Sequence, residues 1–290
     1  MARLDSELVR RGLARARGHA AELVAAGRVL VDGRVAAKPS LAVGEDTRVE
    51  IVPGPGPDYV GRGAHKLAGV LDELEATHPP GVVADGLRCL DAGASTGGFT
   101  QVLLERGARQ VLAVDVGHDQ LAPALREDPR VLDLPGTSVR GLTASAIGGP
   151  VDLVVGDLSF ISLTKVLDDL RRLVRPRGQL VLLVKPQFEV GRRRLGSGGV
   201  VRDPALRQQS VVEVCAAAIE LGLGVRAVRA SRWPGPSGNV EYFVWLESHV
   251  PVDRSDPDAG TIDVVHPRAG TTDLSWIESA VRVAVEEGPA

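Results

Sequence analysis

Two sets of residues in this chain have the types and spacing for chemistry. The first is the run Cys89-Leu90-Asp91-Ala92-Gly93-Ala94-Ser95-Thr96-Gly97-Gly98-Phe99-Thr100. An apolar strand ends in an acid, a glycine-rich turn follows, and Gln101 to Glu105 reads as helix. That is the first half of a nucleotide-type βαβ unit. The glycines let backbone approach a ligand, and the turn amides with the helix N-terminus attract a carboxylate or another anion. The run is not G-x-G-x-x-G, and no lysine follows for a triphosphate, which argues against a dinucleotide or ATP. It favours S-adenosyl-L-methionine, which carries a carboxylate and no phosphate. A glycine-rich turn without a ligand is the bland alternative. The candidate cofactor residues are Asp91, Gly93, Ala94, Ser95, Thr96, Gly97, Gly98 and Phe99. A second apolar strand, Gln110 to Val114, ends at Asp115 with Val116 beside it. Asp115 is placed to accept two ribose hydroxyls; capping the next helix is its other reading.

The second set is four charged residues beside expected sheet termini. Lys66 precedes the first strand of the βαβ unit, and Asp157 ends the apolar run from Val151. Lys185 ends the run Leu180 to Val184, and Glu241 opens the last strand. Carboxyl ends of neighbouring parallel strands face one crevice, so Asp157 and Lys185 belong near the cofactor. If the last strand is antiparallel, its start brings Glu241 to the same edge. Taken singly, each charge reads equally well as an ordinary surface residue. His65 and His118 lack a serine or cysteine partner motif and read as structural.

These residues need a frame to position them. Strands are expected at 87–92, 111–115, 130–133, 151–157, 179–184, 225–230 and 240–246, and helices at 64–75, 98–106, 119–126, 162–174 and 204–222. Continuous apolar runs such as Leu180 to Val184 indicate a central parallel sheet covered on both faces. Before it, Asp5 to Gly12 and Gly18 to Gly27 read as short helices. Val29-Leu30-Val31, Asp32-Gly33 and Val35 form a hairpin signal, and Thr47 to Ile51 alternates as a strand. Pro53-Gly54-Pro55-Gly56-Pro57 breaks all regular structure. The expected domains are 1–52, a linker at 53–60, a catalytic domain at 61–248 and a flexible extension at 249–290. That extension ends in a possible helix through Trp276, Ile277, Ala280, Val281 and Ala284.

At 290 residues with 44% hydrophobic content, the chain can bury a sizeable core. No apolar run approaches a membrane span, and the arginine-rich start lacks an apolar signal segment, so a cytoplasmic protein is expected; its oligomeric state is left open, with a monomer favoured. Cys89 and Cys215 have no metal-ligand spacing and read as buried thiols in a reducing compartment; no metal is expected. The net charge is −3. Residues 1–40 nonetheless carry eight basic against four acidic side chains, which suggests a dedicated polyanion contact or a solvated helix face. Arg192-Arg193-Arg194 before a glycine-rich stretch reads as a basic loop near phosphates, or simply as a solvated loop. Three tryptophans and two tyrosines are too few to indicate an aromatic stacking surface.

The motifs carry two resemblances. Arg10 to Arg17 followed by Ala25 to Gly33 resembles the alpha-L RNA-binding module, over roughly residues 3–51. In that family basic helix residues grip structured RNA; here these would be Arg11, Arg15, Arg17 and Lys38. Residues 61–248 resemble the FtsJ-type RNA ribose 2′-O-methyltransferases. The whole chain to about 248 resembles the TlyA family, rRNA methyltransferases also called hemolysins. Asp-Ala-Gly-Ala-Ser-Thr-Gly-Gly-Phe, Asp-Leu-Ser-Phe-Ile-Ser, Val-Lys-Pro-Gln-Phe-Glu and Pro-Gly-Pro-Ser-Gly-Asn-Val-Glu-Tyr match that family unchanged. Gly61-Arg62-Gly63-Ala64-His65-Lys66 matches with Gly61 where the family has Ser. The resemblance implies a Rossmann-like class I methyltransferase fold, with a seven-stranded, mostly parallel sheet whose last strand is antiparallel. It also implies a Lys66, Asp157, Lys185 and Glu241 tetrad, and rRNA within ribosomal subunits as partner. Asp157 is counted with the cofactor residues as well, and Arg62 and Arg192 with the candidate RNA contacts. Methylating a ribose requires in-line attack by the 2′-oxygen on a methyl sulfonium. Lys185 is expected to be the base or to orient that hydroxyl, with the other three positioning it.

Three other classes compete. A pseudouridine synthase shares the N-terminal module but not the Asp91 to Phe99 turn. A membrane-active hemolysin conflicts with the missing signal segment and the lack of a sizeable amphipathic basic helix. A catalytically silent ribosome-assembly factor conflicts with the intact tetrad.

Overall fold

The computed structural model describes residues 1–14, 17–52, 58–191, 194–248 and 271–289. The chain divides into two compact units, Met1–Asp58 and Tyr59–Ala290. The linker residues 53–57 and the polar stretch 249–270 lie outside the described residues.

The first unit runs β1 (Ala2–Arg3), α1 (Leu4–Arg10), α2 (Arg17–Ala25), β2 (Val29–Val31), β3 (Arg34–Val35), β4 (Ala42–Val43) and β5 (Val49–Ile51). β2 pairs with β3 and β5, and β1 pairs with β4, all antiparallel. Asp32 and Gly33 both take positive φ, as a two-residue hairpin turn requires. Leu4, Leu8, Leu23, Val24 and Val29 form the core. Beside them α1 buries two carboxylates. Asp5 accepts from Arg3 and Arg17, and Glu7 accepts from Arg10 and Arg11. These hydrogen bonds favour the ionised forms, Arg3 mattering most for Asp5 and Arg10 for Glu7. They hold Asp5 well below the usual carboxylate range and Glu7 down at about 2.

The second unit contains α3 (Arg62–Thr77), β6 (Arg88–Ala92), α4 (Gly98–Glu105), β7 (Gln110–Val114), α5 (Pro123–Arg126), β8 (Val131–Leu134) and β9 (Val151–Gly156). It continues with α6 (Leu167–Leu173), β10 (Val174–Val184), α7 (Pro186–Glu189), α8 (Pro204–Glu220), β11 (Leu223–Ala230), β12 (Tyr242–Ser248) and α9 (Leu274–Glu287). Among the described residues its strands form one seven-stranded sheet in the order β11-β12-β10-β9-β6-β7-β8. β10, β9, β6, β7 and β8 run parallel, while β12 is antiparallel to both neighbours. This is the expected Rossmann-like arrangement with a reversed last strand.

Each sheet face is covered, which is why the central strands read as unbroken apolar runs. Leu67, Leu71 and Leu74 of α3 pack with Phe99 and Leu103 of α4 on one side. Leu167, Val211, Val214 and Ala218, from α6 and α8, pack on the other. Burying each of these Leu, Val and Phe side chains contributes about 1.5–3 kcal/mol.

The sequence pattern places most boundaries well, with four differences. β10 starts early, at Val174, with a register irregularity before Gln179. The helix expected at 119–126 shrinks to Pro123–Arg126, because Asp119 takes positive φ and Pro123 sits at the helix start. The helix expected at 162–174 divides into a 3₁₀ turn, Leu163–Lys165, and α6. The C-terminal helix packs on the sheet: Ile277, Val281 and Ala284 are buried in the same cluster as α8 and β11. Asp273 caps α9, and Thr271 bridges to Val225.

Candidate active site

The glycine turn is built by close approach. Gly93 takes φ +84°, and a Cβ there would stand 3.0 Å from the Asp157 carbonyl oxygen. Its amide and that of Ala94 donate to the Val114 carbonyl, which ties the turn to the end of β7. Asp115 tightens the tie. Its Oδ2 accepts from the Ser95 amide at 2.8 Å and its Oδ1 from the Gly117 amide at 2.7 Å. The carboxylate thus fixes both loops before any ligand is considered.

Two hollows open around this turn. The larger, about 480 Å³, is lined by Gly93, Ser95, Asp115, Val116, Asp157 and Leu158, among others. The smaller, about 200 Å³, is lined by Gly61 to Gly63, Gly93 to Thr96, Gly98, Phe99 and Asp157. Gly93, Ser95 and Asp157 border both, so Asp157 marks their junction.

Two expected cofactor residues stand behind this wall. Gly97 faces Leu121 and Leu125. Asp91 is fully buried, with Oδ2 accepting from Thr100 Oγ1 at 2.7 Å and Oδ1 unpartnered. Desolvation disfavours its charge and pushes the carboxyl up to about 7, with the Thr100 hydrogen bonds opposing the shift.

The four tetrad residues resolve into two ion pairs. β10 and β12 are in antiparallel register with Val184 opposite Tyr242. The next residues outward, Lys185 and Glu241, therefore leave the sheet at one end. Asp157 follows β9 at that same end, where its amide donates to the Ala92 carbonyl. Lys66 comes from α3, on the buried face that also carries Ala64, Leu67, Val70, Leu71 and Leu74.

Lys66 Nζ donates to Glu241 Oε2 at 2.5 Å, the side chains being 6% and 1% exposed. Lys185 Nζ donates to Ser159 Oγ at 2.7 Å and lies 2.6 Å from Asp157 Oδ1. That second contact is an ion pair without hydrogen-bond alignment, since Asp157 Oδ1 accepts no bond. Among the described residues no hydrogen bond or ion pair joins one pair to the other. A lysine buried this far is tolerable only with a carboxylate beside it.

Ser159 is a site residue that sequence reasoning quoted within a motif but gave no role. Its signal was a hydroxyl two positions after a strand-end acid. Glu189 is another: it accepts from Ser162 Oγ at 2.5 Å and the Leu163 amide at 2.8 Å, clasping the loop after β9 to α7. Burial pushes its carboxyl up.

The expected RNA contacts fare differently. Arg62 is exposed and lines the smaller hollow. Arg17 and Lys38 are exposed on the first unit. Arg11 is corrected by the structure: its guanidinium donates to Glu7 Oε1 and to the carbonyls of Thr47, Gly44 and Glu45. It closes the fold of that unit instead of offering donors to phosphate. Arg15 and Arg192 lie outside the described residues. Arg194 is exposed and donates to the Val190 carbonyl and to Gln209 Oε1.

Comparison with known proteins bears on this geometry. The FtsJ-like methyltransferase family matches residues 59–248, and the S4 domain matches residues 2–49. The 16S/23S rRNA (cytidine-2′-O)-methyltransferase TlyA of Mycobacterium tuberculosis is 54% identical over 265 residues, covering 91% of this chain and 96% of the relative. The chain belongs to the TlyA family of FtsJ-like methyltransferases.

The 23S rRNA (cytidine-2′-O)-methyltransferase TlyA of Campylobacter jejuni is 35% identical over 64% of this chain and 70% of its own length. A solved structure from Streptococcus thermophilus, described as a hemolysin, superposes with a TM-score of 0.71 at 31% identity, covering 98% of this chain and 96% of that one. Among the described residues no helix is long and apolar enough to cross a membrane. A Cβ at Gly61 would stand 2.6 Å from Thr96 Oγ1, so a larger residue there requires the Thr96 hydroxyl to turn away.

Proposed function

We propose that this chain transfers a methyl group from S-adenosyl-L-methionine to the ribose 2′-hydroxyl of cytidine in rRNA, on large and small ribosomal subunits in the cytoplasm. The observation that carries the reading is the placement of Lys185. Its Nζ is held by Ser159, which lines the larger hollow, and by Asp157, which borders both. The double subunit range rests on the 54% identity to a 16S/23S enzyme.

The residues fit the cofactor. Asp115 uses one lone pair on each oxygen for a backbone amide and keeps others to accept ribose hydroxyls. The turn amides of Gly93, Ala94, Ser95 and Gly97 are already engaged, which leaves the start of α4 to attract a carboxylate. The Asp157 carboxylate, which borders both hollows, suits an ammonium group. When bound, the cofactor supplies an electrophilic methyl on a sulfonium.

The chain's own groups then prepare the nucleophile. Lys185 orients the 2′-hydroxyl and, as the neutral amine, accepts its proton on the Nζ lone pair while the 2′-oxygen takes the methyl group. Asp157 and Ser159 fix two directions around that nitrogen, leaving the remaining one for substrate. Lys66 and Glu241 neutralise each other and brace the end of β12 next to Lys185. Alignment is the main contribution of such a site, because held geometry replaces a costly encounter. The test is nucleoside analysis of rRNA from unmodified subunits incubated with the enzyme and cofactor. It should yield 2′-O-methylcytidine; a methyl group on the base instead would rule the reading out.

A further inference from the structure

We propose that Trp233, backed by His65, is a stacking platform for an unpaired nucleobase of the RNA substrate beside the methylated nucleotide. The proposal rests on the function argued above and adds a binding site to it.

Three rings form a file on the second unit. Tyr59 meets His65 edge-on, with centroids 4.8 Å apart and planes at 82°. His65 lies against Trp233 at 5.0 Å and 31°. Trp233 is the outer ring, 49% exposed. A single exposed tryptophan is unremarkable. This one is held on its inner side by a ring and presents the remainder to solvent.

Its place in the fold makes the exposure informative. His65 directly precedes Lys66, and Trp233 lies in the loop from β11 to Glu241. That loop is anchored where the Ser231 amide donates to the Glu241 carbonyl. Ser231 Oγ also donates to the Trp233 carbonyl at 2.8 Å and accepts from its amide. Both rings are thus attached to the two members of the buried Lys66–Glu241 pair.

The surrounding charge suits a polyanion. Arg229 and Arg232 share one carboxylate, Glu73, and the Arg232 side chain is 73% exposed. Single-stranded RNA is held by this combination of aromatic faces for bases and cations for the backbone.

The test uses the full-length enzyme, labelled cofactor and unmodified ribosomal subunits, with Trp233→Ala and Trp233→Phe. Loss of one base–aromatic stack should raise the subunit KM of Trp233→Ala by roughly 5- to 100-fold. Trp233→Phe should recover most of that, and cofactor affinity and melting temperature should not move. If Trp233→Ala melts and binds cofactor like the wild type yet keeps its subunit KM within about twofold, the platform is wrong. Photocrosslinking from Trp233→4-benzoylphenylalanine should reach rRNA; a crosslink to a ribosomal protein alone overturns the assignment to a base. Wild-type enzyme that methylates neither subunit overturns the proposed function, and the platform with it.

Discussion

At the residue scale, the site depends on groups whose preferred state is set by burial and one or two neighbours. Asp91 is the clearest case, because its carboxyl is raised to about 7 by desolvation. A raised acid contributes stability that is full below its unfolded value near pH 4 and is lost as pH rises through about 7. The ligand-free protein should therefore weaken between those limits. Asp91→Asn should flatten the profile and gain roughly 1–4 kcal/mol over the wild type near pH 8. Calorimetric melts across that range check it; parallel profiles for the two proteins would remove Asp91 as the cause. Asp115 invites a second test. It joins Ser95 and Gly117 besides facing the larger hollow. Asp115→Ala should weaken cofactor binding by about 1–3 kcal/mol, the scale of lost charge-assisted hydrogen bonds. Unchanged affinity by titration calorimetry would take Asp115 out of the site.

At the scale of elements, periodicity made the sheet legible. Leu180 to Val184 is apolar without interruption because both faces are covered, and Asp32-Gly33 marks its hairpin. What stayed hidden depends on register and on side-chain direction. Lys66 and Glu241 are 175 positions apart, and only the antiparallel seating of β12 on β10 brings Glu241 to the site edge. The partnership of Lys185 with Ser159 needs the path of the loop after β9. Counting aromatic residues gave no hint that Tyr59, His65 and Trp233 meet. Arg11 misled for a related reason: a helix arginine near other arginines resembles a phosphate contact until a carboxylate and three carbonyls are seen around it. Arg11→Ala should accordingly lower the melting temperature of the first unit and leave the salt dependence of RNA binding unchanged. A reduced salt slope with unaltered melting would restore it as an RNA contact. The same unit should be acid-labile. Asp5 and Glu7 have depressed values, so their stabilisation is present above the ordinary carboxylate range and is lost as pH falls toward about 2. Glu7→Gln should shrink that loss, as followed by circular dichroism; equal acid transitions would contradict it.

At the scale of the whole molecule, we propose that the first unit sets RNA affinity while the second carries the chemistry. The first offers Arg17 and Lys38 at its surface, and the second holds the hollows and the ion pairs. Arg17→Ala with Lys38→Ala should lower the salt slope of subunit binding by about 0.7–0.9 per lost phosphate contact. Cofactor binding should stay as in the wild type; a slope that does not change would move the RNA contact elsewhere. The central claim is that Lys185 activates a ribose hydroxyl on ribosomal RNA. Single-turnover transfer of labelled methyl to unmodified large and small subunits, by wild type and by Lys185→Ala, tests it most directly. The account predicts transfer to both subunits by the wild type, and none by the variant although its affinity for cofactor and subunits stays within a few-fold. Wild-type transfer rates in Lys185→Ala would contradict it.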